Sequence, residues 1–390
     1  MQKKLLLLFM LQFFIILEDC NAYPSEDVNN IVSRNSRSTD TSKGSFLWEI
    51  GTKPPSYLFG TVHVPYTTVW DDIPQNAKDA FHHAAKIYVE LDHTDKKTMS
   101  TIAACQYFPN ENDLSPILPS DLYDMVHNHL KFAQQEVVDR VYNSIRLFSY
   151  ALQNFSTAIE NWENKRPIWV YLMISMTLSN TYLTNAGVPF LDLYLTQQAK
   201  EQGKQVGAIE FPDEHCQALN GINSTLVEAA LRQFLDDQIE RRSGVAKPQQ
   251  YGLEEIIRDY RESNSDSLLF NSFPTNISSS EELLKELSQV MNENLISKRN
   301  GKMAARVMEQ IKSNPETSLF FAFGAFHFLG EKSVVELLRS QGLEVRRVPA
   351  NVPFKVPFHL PISMSSFGLR IKLDILTAIL CLFLFLCIRK

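Results

Sequence analysis

The feature that most constrains the fold is a pair of matching patterns that lie far apart in the chain. Gly60–His63 (GTVH) and Gly324–His327 (GAFH) each follow a short apolar, β-favouring run. Of the nine histidines, only these two have glycine three residues before them. Glycine permits a sharp turn at a strand end, and open α/β sheets bind ligands beyond the carboxyl ends of their strands. We therefore predict that His63 and His327 lie at the rim of one sheet.

Strands alternate with helical patterns along the chain, which indicates an α/β fold. Phe46–Ile50 and Tyr57–Phe59 are predicted to form a hairpin, because Gly, Pro and Ser fill the connection between them. Two further predicted strands, Ile87–Asp92 and Gln205–Glu210, end in acidic residues. Residues 118–202 are mostly helical by pattern and predict a helical insertion that caps the strand ends. The sequence thus predicts a mixed sheet flanked by helices.

Both ends of the chain are predicted to lie outside this fold. Basic residues, an apolar run and small residues at a cleavage site are typical of a signal peptide, and a second apolar run lies near the C-terminus. The predicted segments are a signal peptide over 1–22, a flexible lead-in over 23–44, the folded domain over 45–350, a stalk over 351–372, a transmembrane helix over 373–388 and a cytoplasmic tail over 389–390. A GPI anchor is the alternative to the spanning helix. Both anchors place the domain outside the cell, the spanning helix as a single-pass type I protein.

Cysteines and glycosylation sequons agree with a secreted domain. Between the signal peptide and the apolar tail only Cys105 and Cys216 remain, and an oxidising compartment favours a disulfide between them. Two unpaired buried thiols are the alternative. Sequons begin at Asn154, Asn223 and Asn276. The net charge of −6 and the lack of a dense basic stripe argue against a nucleic-acid partner.

The four predicted strand ends carry groups that bind metal or move protons, namely His63, Glu90, Glu210 and His327. Two imidazoles and one carboxylate can hold a divalent ion and leave a position for water, and a second carboxylate can accept a proton from that water. We predict His63, His327 and Glu210 as ligands and Glu90 as the base, with the reverse assignment of the two acids left open. Neither HExxH nor GxSxG occurs, so zincin and nucleophile-elbow designs are not indicated.

Each of these residues also has a structural interpretation. A strand-end histidine is often a hydrogen-bonded part of the scaffold, and the two glutamates could pair with cations or cap helices. Arg299 interrupts a helical run together with Asn300 and Gly301. It marks either a corner between helices or a group that stabilises negative charge in the site. His93 follows Asp92 and is a candidate neighbour of the site.

Taken in their order, these motifs resemble the TIKI metalloproteases, animal members of the wider TraB/GumN group. The resemblance covers about residues 45–350 and is specific because the motifs occur as an ordered set. The motifs that carry it are Phe59–His63, Val89–Asp92, Gly207–Glu210, Arg299–Ala304 and Phe323–Gly330.

The resemblance implies a membrane-tethered endopeptidase that requires Mn²⁺ or Co²⁺. It also implies Wnt proteins as substrates, trimmed near their amino termini so that signalling is reduced. The matching motifs imply His63 and His327 first, and then Glu210 and Glu90, as active-site residues. A non-catalytic haem- or metal-binding surface protein is the alternative, because the wider group includes such proteins and haem needs mainly an axial ligand and an apolar slot.

Overall fold

The computed structural model describes residues 45–109, 118–141, 152–153, 155–176, 188–244, 253–265 and 282–355. The predicted signal peptide, the lead-in, most of the stalk, the apolar tail and the sequons at Asn154 and Asn276 lie outside the described residues. Among the residues that are described, no helix is both long enough and apolar enough to span a membrane.

A mixed sheet forms the centre of the described residues. Its strands are β1 (Leu47–Ile50), β2 (Ser56–Thr61), β3 (Lys86–Val89), β4 (Gln205–Ala208), β5 (Leu319–Gly324) and β6 (Val345–Arg347). The strand order is β4-β3-β5-β2-β1-β6. Strands β4, β3, β5 and β2 run parallel, whereas β1 is antiparallel to both β2 and β6. The predicted α/β fold is confirmed, and the carboxyl ends of the parallel strands meet at one edge.

Helices connect and flank these strands. They are α1 (Gln75–His83), α2 (Lys96–Cys105), α3 (Ser120–Val141), α4 (Pro167–Met176), α5 (Leu191–Glu201), α6 (Pro212–Asn220), α7 (Ser224–Arg242), α8 (Leu253–Arg261), α9 (Glu282–Asn292), α10 (Lys298–Ser313) and α11 (Val334–Ser340). A π-helical stretch, Glu293–Ser297, joins α9 to α10. A short 3-10 turn, Tyr66–Thr68, follows His63 in the segment after β2. A second 3-10 turn, Ala325–Phe328, follows β5 and contains His327.

Two apolar clusters stabilise these layers. The first packs the sheet against α1, α5, α8, α10 and α11. Every residue of β2 and β5 is buried, so both faces of these strands are covered. The second cluster lies among α2, α3, α4, α6, α7 and α9 and contains no strand residue. This second core corresponds to the predicted helical insertion, although it also includes helices from later in the chain.

A disulfide and a close backbone contact brace the segments that carry the site. Cys105 at the end of α2 and Cys216 in α6 are bonded, with their Cα atoms 6.0 Å apart. Gly60 lies inside β2 and lacks the positive φ found at four other glycines, so it does not serve as a turn residue. A Cβ on Gly60 would lie 3.0 Å from both Cα and Cβ of Ala325. The first motif glycine is therefore small because β2 and the segment after β5 pack in contact.

Candidate active site

The four residues predicted at strand ends lie just beyond the parallel strands. Each of His63, Glu90, Glu210 and His327 follows the last residue of its strand by one to three positions. The amide of Glu210 donates to the carbonyl oxygen of Glu90 at 2.9 Å, so backbone pairing of β3 with β4 continues to the acids. All four side chains are buried, between 0 and 5% exposed. The sheet edge thus places them in one water-poor region.

Arg299 of α10 joins the two acids. Its Nε donates to Oε1 of Glu210 at 2.8 Å, and its Nη2 donates to both Glu90 Oε1 and Glu210 Oε2. Burial by itself raises the pKa of both carboxyl groups, but the guanidinium outweighs that effect. The pKa of Glu210 is lowered and the pKa of Glu90 lies well below its ordinary value. Both acids are therefore negatively charged at neutral pH.

The guanidinium is held from behind by a helix irregularity. Nη1 of Arg299 donates at 2.8 Å to the carbonyl oxygen of Leu295, which lies in the π-helical stretch Glu293–Ser297. Such π segments recur at functional sites because they redirect side chains and backbone groups. Here the stretch supplies an acceptor that fixes the direction of the Arg299 side chain.

His327 stands beside Glu90. Its Nε2 lies 3.7 Å from Oε2 of Glu90, and its Nδ1 lies 2.6 Å from Oδ1 of Asn300. The amide of Gly324 also donates to Oε2 of Glu90, at 3.2 Å. Nε2 of His327 is buried and has no hydrogen-bond partner in the part of the chain that the structure describes. This nitrogen is available to a ligand or ion.

His63 is backed by an acid that sequence reasoning missed. Its Nδ1 lies 2.8 Å from Oδ2 of Asp192, in the first turn of α5, and Thr61 Oγ1 donates to the other oxygen of Asp192. Burial lowers the pKa of His63, but the Asp192 charge and hydrogen bond outweigh it and the net shift is upward. Within the described ranges, Nε2 of His63 has no hydrogen-bond partner.

Two further buried histidines face the same region. Nδ1 of His215, in α6, lies 3.7 Å from Oε2 of Glu210. Burial lowers the pKa of His93 to about 4, and charges on Asp192, His63, His215 and Glu90 all act on its ring. His93 was a candidate neighbour, whereas His215 was not predicted. The sequence feature that indicates His215 is its position five residues after Glu210, in the first turns of the helix that begins at Pro212.

The structure brings one potential set of metal ligands together among the described residues. Ligand atoms of Glu90, Glu210 and His215 all lie within 4.8 Å of one another. His327 adjoins this set through Glu90, and His63 contacts Asp192. Carboxylate and imidazole groups suit divalent transition metals. The buried Nε2 atoms of His63 and His327, which have no hydrogen-bond partner among the described residues, can provide lone pairs for one. The side chains present therefore fit a divalent ion.

A parallel sheet edge with buried acids and imidazoles defines an α/β protein with a candidate hydrolytic metal centre. The model of the TraB/PrgY/gumN family matches residues 46–347, so this chain belongs to that family. No solved structure matches the chain.

Curated relatives give a more specific comparison. The chain is 38% identical over 353 residues to Metalloprotease TIKI1 of Xenopus tropicalis, which covers 88% of this chain and 68% of the relative. It is 40% identical over 320 residues to Metalloprotease TIKI2 of Xenopus tropicalis, covering 80% and 61%. It is 38% identical over 319 residues to Metalloprotease TIKI1 of Homo sapiens, covering 79% and 63%. The chain thus spans roughly two thirds of these relatives' lengths, and their names support a metalloprotease role.

Proposed function

We propose that this chain is an extracellular, membrane-tethered, divalent-metal-dependent endopeptidase that cleaves the amino-terminal region of Wnt proteins and so reduces Wnt signalling. The buried acid pair Glu90–Glu210, with imidazoles beside both acids, is the observation that carries the hydrolytic part. Relatives named metalloprotease support the reaction class. Wnt substrates rest on the sequence resemblance, and the membrane anchor rests on the predicted segment 373–388.

Two acid–imidazole pairs would hold the ion, for which Mn²⁺ or Co²⁺ is proposed. These are Glu90 with His327 and Glu210 with His215, each pair 3.7 Å apart at its nearest atoms. When bound, a divalent ion supplies Lewis acidity, which acidifies water and polarises a peptide carbonyl. Glu90 is favoured as the stronger ligand because only one of its oxygens accepts from the Arg299 guanidinium, whereas both oxygens of Glu210 do. The preference for Glu90 over Glu210 as ligand is the reverse of the first assignment predicted from the sequence, in which Glu210 is the ligand and Glu90 the base.

Arg299 keeps the acids charged and oriented. Its Nε, Nη1 and Nη2 all donate within the site scaffold, to the two glutamates and to Leu295. A guanidinium bonded in this way has little freedom to reach a substrate oxygen. We therefore assign Arg299 to holding the carboxylates, in place of the charge-stabilising role considered from sequence.

His63 is the best-placed proton acceptor. Asp192 lies against Nδ1 and stabilises the imidazolium that forms when Nε2 takes up a proton. The same arrangement would also orient Nε2 as a metal ligand, which is the role the sequence predicts. Metal content separates the two roles: His63→Ala should retain its metal and lose its rate if His63 is the base.

Access to this site requires movement. The side chains of Glu90, His93, Glu210, His215 and His327 are only 0–7% exposed. A polypeptide can reach such a buried centre only if elements that cover it separate, as in enzymes with lids. Slow opening would then limit turnover.

The proposal is tested with the purified full-length protein and a purified Wnt substrate analysed by mass spectrometry. Chelation should abolish cleavage near the substrate's amino terminus, and added Mn²⁺ or Co²⁺ should restore it. Glu90→Gln should lose metal, whereas Glu210→Gln should lose less. Cleavage that survives thorough chelation would remove the metal from the mechanism. An absorption spectrum with a haem band would favour the binding-protein alternative instead.

A further inference from the structure

The buried side chain of Asn300 fixes which ring nitrogen of His327 carries hydrogen. Nδ2 of Asn300 donates to the backbone carbonyl oxygen of Lys332 at 2.8 Å. A carbonyl oxygen only accepts, so the NH₂ end of the amide must face Lys332. The amide oxygen then faces Nδ1 of His327 at 2.6 Å, and it too only accepts. Nδ1 of His327 must therefore be the donor.

That tautomer leaves an unusual contact on the other side of the ring. A neutral imidazole with hydrogen on Nδ1 has a lone pair on Nε2. In His327 this atom is buried, lacks a hydrogen-bond partner among the described residues, and lies 3.7 Å from Oε2 of Glu90. The Glu90 oxygen is likewise an acceptor. Two acceptors that face each other in a buried site repel unless a cation lies between them, either a proton on Nε2 or a metal ion that takes the place of that proton.

Their separation matches two ligands on one ion. Metal bonds of about 2.0–2.2 Å to imidazole nitrogen and carboxylate oxygen allow two ligand atoms of one ion to lie up to about 4 Å apart, so the observed 3.7 Å is within reach of a single ion. We propose that Asn300 is a positioning residue: it holds His327 as the Nδ1–H tautomer, so that Nε2 of His327 and Oε2 of Glu90 form one clamp for a divalent cation. This inference rests on the proposed function and assigns Asn300 the role of directing Nε2 of His327 toward Glu90.

Neighbouring residues of α10 support the two halves of this clamp. Asn300 holds the imidazole, and Arg299 holds Glu90 through the other carboxylate oxygen, Oε1. Because both come from one helical turn, a shift of α10 would move the nitrogen and oxygen ligands together. Outer partners of this kind typically change metal affinity by about 10–100-fold when they are removed.

The tautomer is tested first without metal or substrate. The full-length protein, labelled with ¹⁵N-histidine and stripped of metal, is studied by NMR near neutral pH, with the His327 signals assigned by comparison with His327→Gln. We expect hydrogen on Nδ1. Hydrogen on Nε2 with none on Nδ1 would overturn the proposal. This result does not depend on whether the protein is a protease.

The clamp is tested by Co²⁺ titration followed through the visible absorption of the bound ion. Asn300→Leu should weaken Co²⁺ binding by about 10–100-fold and change the spectrum. Asn300→Asp keeps the acceptor for Nδ1 of His327 but loses the donor to Lys332, so it should retain more affinity than Asn300→Leu. Lys302→Met, on the exposed side of α10, is the matched control and should bind as wild type.

Wild-type affinity and spectrum in folded Asn300→Leu would contradict the positioning role. If that variant does not fold, Asn300→Asp and the NMR measurement decide the question. Failure of the wild-type protein to bind any divalent ion would instead count against the proposed function. The NMR measurement on metal-free protein would still report the tautomer of His327.

Discussion

Replacing Arg299 with methionine tests the electrostatic design of the site. The substitution keeps a long side chain but removes the only cation that contacts both Glu90 and Glu210 among the described residues. The acids are 5% and 3% exposed, so water cannot take over from the guanidinium. We expect the metal-free variant to be strongly destabilised because two charged carboxylates remain together in a buried region.

The size of the loss follows from the burial of the pair. Removing one partner of a buried ion pair costs about 3–5 kcal/mol, because the remaining charge is left uncompensated. Proton uptake by one glutamate limits the cost, at about 1.4 kcal/mol for each unit by which the pH exceeds its pKa. The destabilisation should therefore shrink as the pH is lowered. It should also shrink when a divalent ion is added, because the ion replaces the lost positive charge and therefore binds the variant more tightly than the wild type.

Urea unfolding of metal-free protein measures these effects directly. Arg299→Met should unfold at a much lower urea concentration than wild type, and adding Mn²⁺ or removing one acid with Glu210→Gln should narrow the gap. Arg346→Met is the control, because its ion pair with Glu49 is exposed and should contribute less than about 1 kcal/mol. Equal stability of metal-free Arg299→Met and wild type would refute the reasoning.

Three further outcomes are expected from the described residues. Replacing Cys105 and Cys216 with serine should cost about 3–5 kcal/mol in urea unfolding, since the bond closes a 111-residue separation, and unchanged stability would contradict this. The hydrogen bond from Arg306 lowers the pKa of Glu214 from 4.5 to about 2, so its stabilisation is full above about pH 4.5 and is lost as the pH falls toward about 2. Glu214→Gln should reduce the pH dependence of the free energy of unfolding in that window by less than about 1 kcal/mol, because the group is partly exposed. An unchanged pH dependence would argue against the ion pair. Asn223 is exposed just before α7 with Oδ1 accepting from the amide of Thr225, so it should carry a glycan on Nδ2; a secreted protein unmodified there in peptide mapping would refute this.

The sheet edge was predictable because it follows from local patterns. Apolar runs that end in His63, Glu90, Glu210 or His327 indicate strands, and parallel strands place their carboxyl ends together. The register of β2 with β5 pairs Thr61 with Gly324, so the two motifs lie side by side with an offset of one residue. Local pattern plus strand direction was therefore sufficient to bring these residues to one edge.

Partners across the fold were not predictable in the same way. Asp192 meets Thr61 across 131 residues, and Arg299 meets Glu90 across 209. No spacing rule links such residues, because helix packing alone decides which side chains face the sheet edge. The motif glycine was also misinterpreted: Gly60 meets a neighbouring segment through its missing Cβ, a contact that exists only after the sheet forms.

Anomalous X-ray scattering from crystals of the protein loaded with Mn²⁺ tests the proposed metal centre most directly. We expect one strong peak within about 2.0–2.2 Å of Nε2 of His327 and a carboxylate oxygen of Glu90, with Glu210 and His215 as the adjoining ligands. A peak between the acids and His327 would place the ion where the buried lone pairs converge. No peak at this sheet edge in fully loaded, active protein would contradict the metal centre and the mechanism built on it.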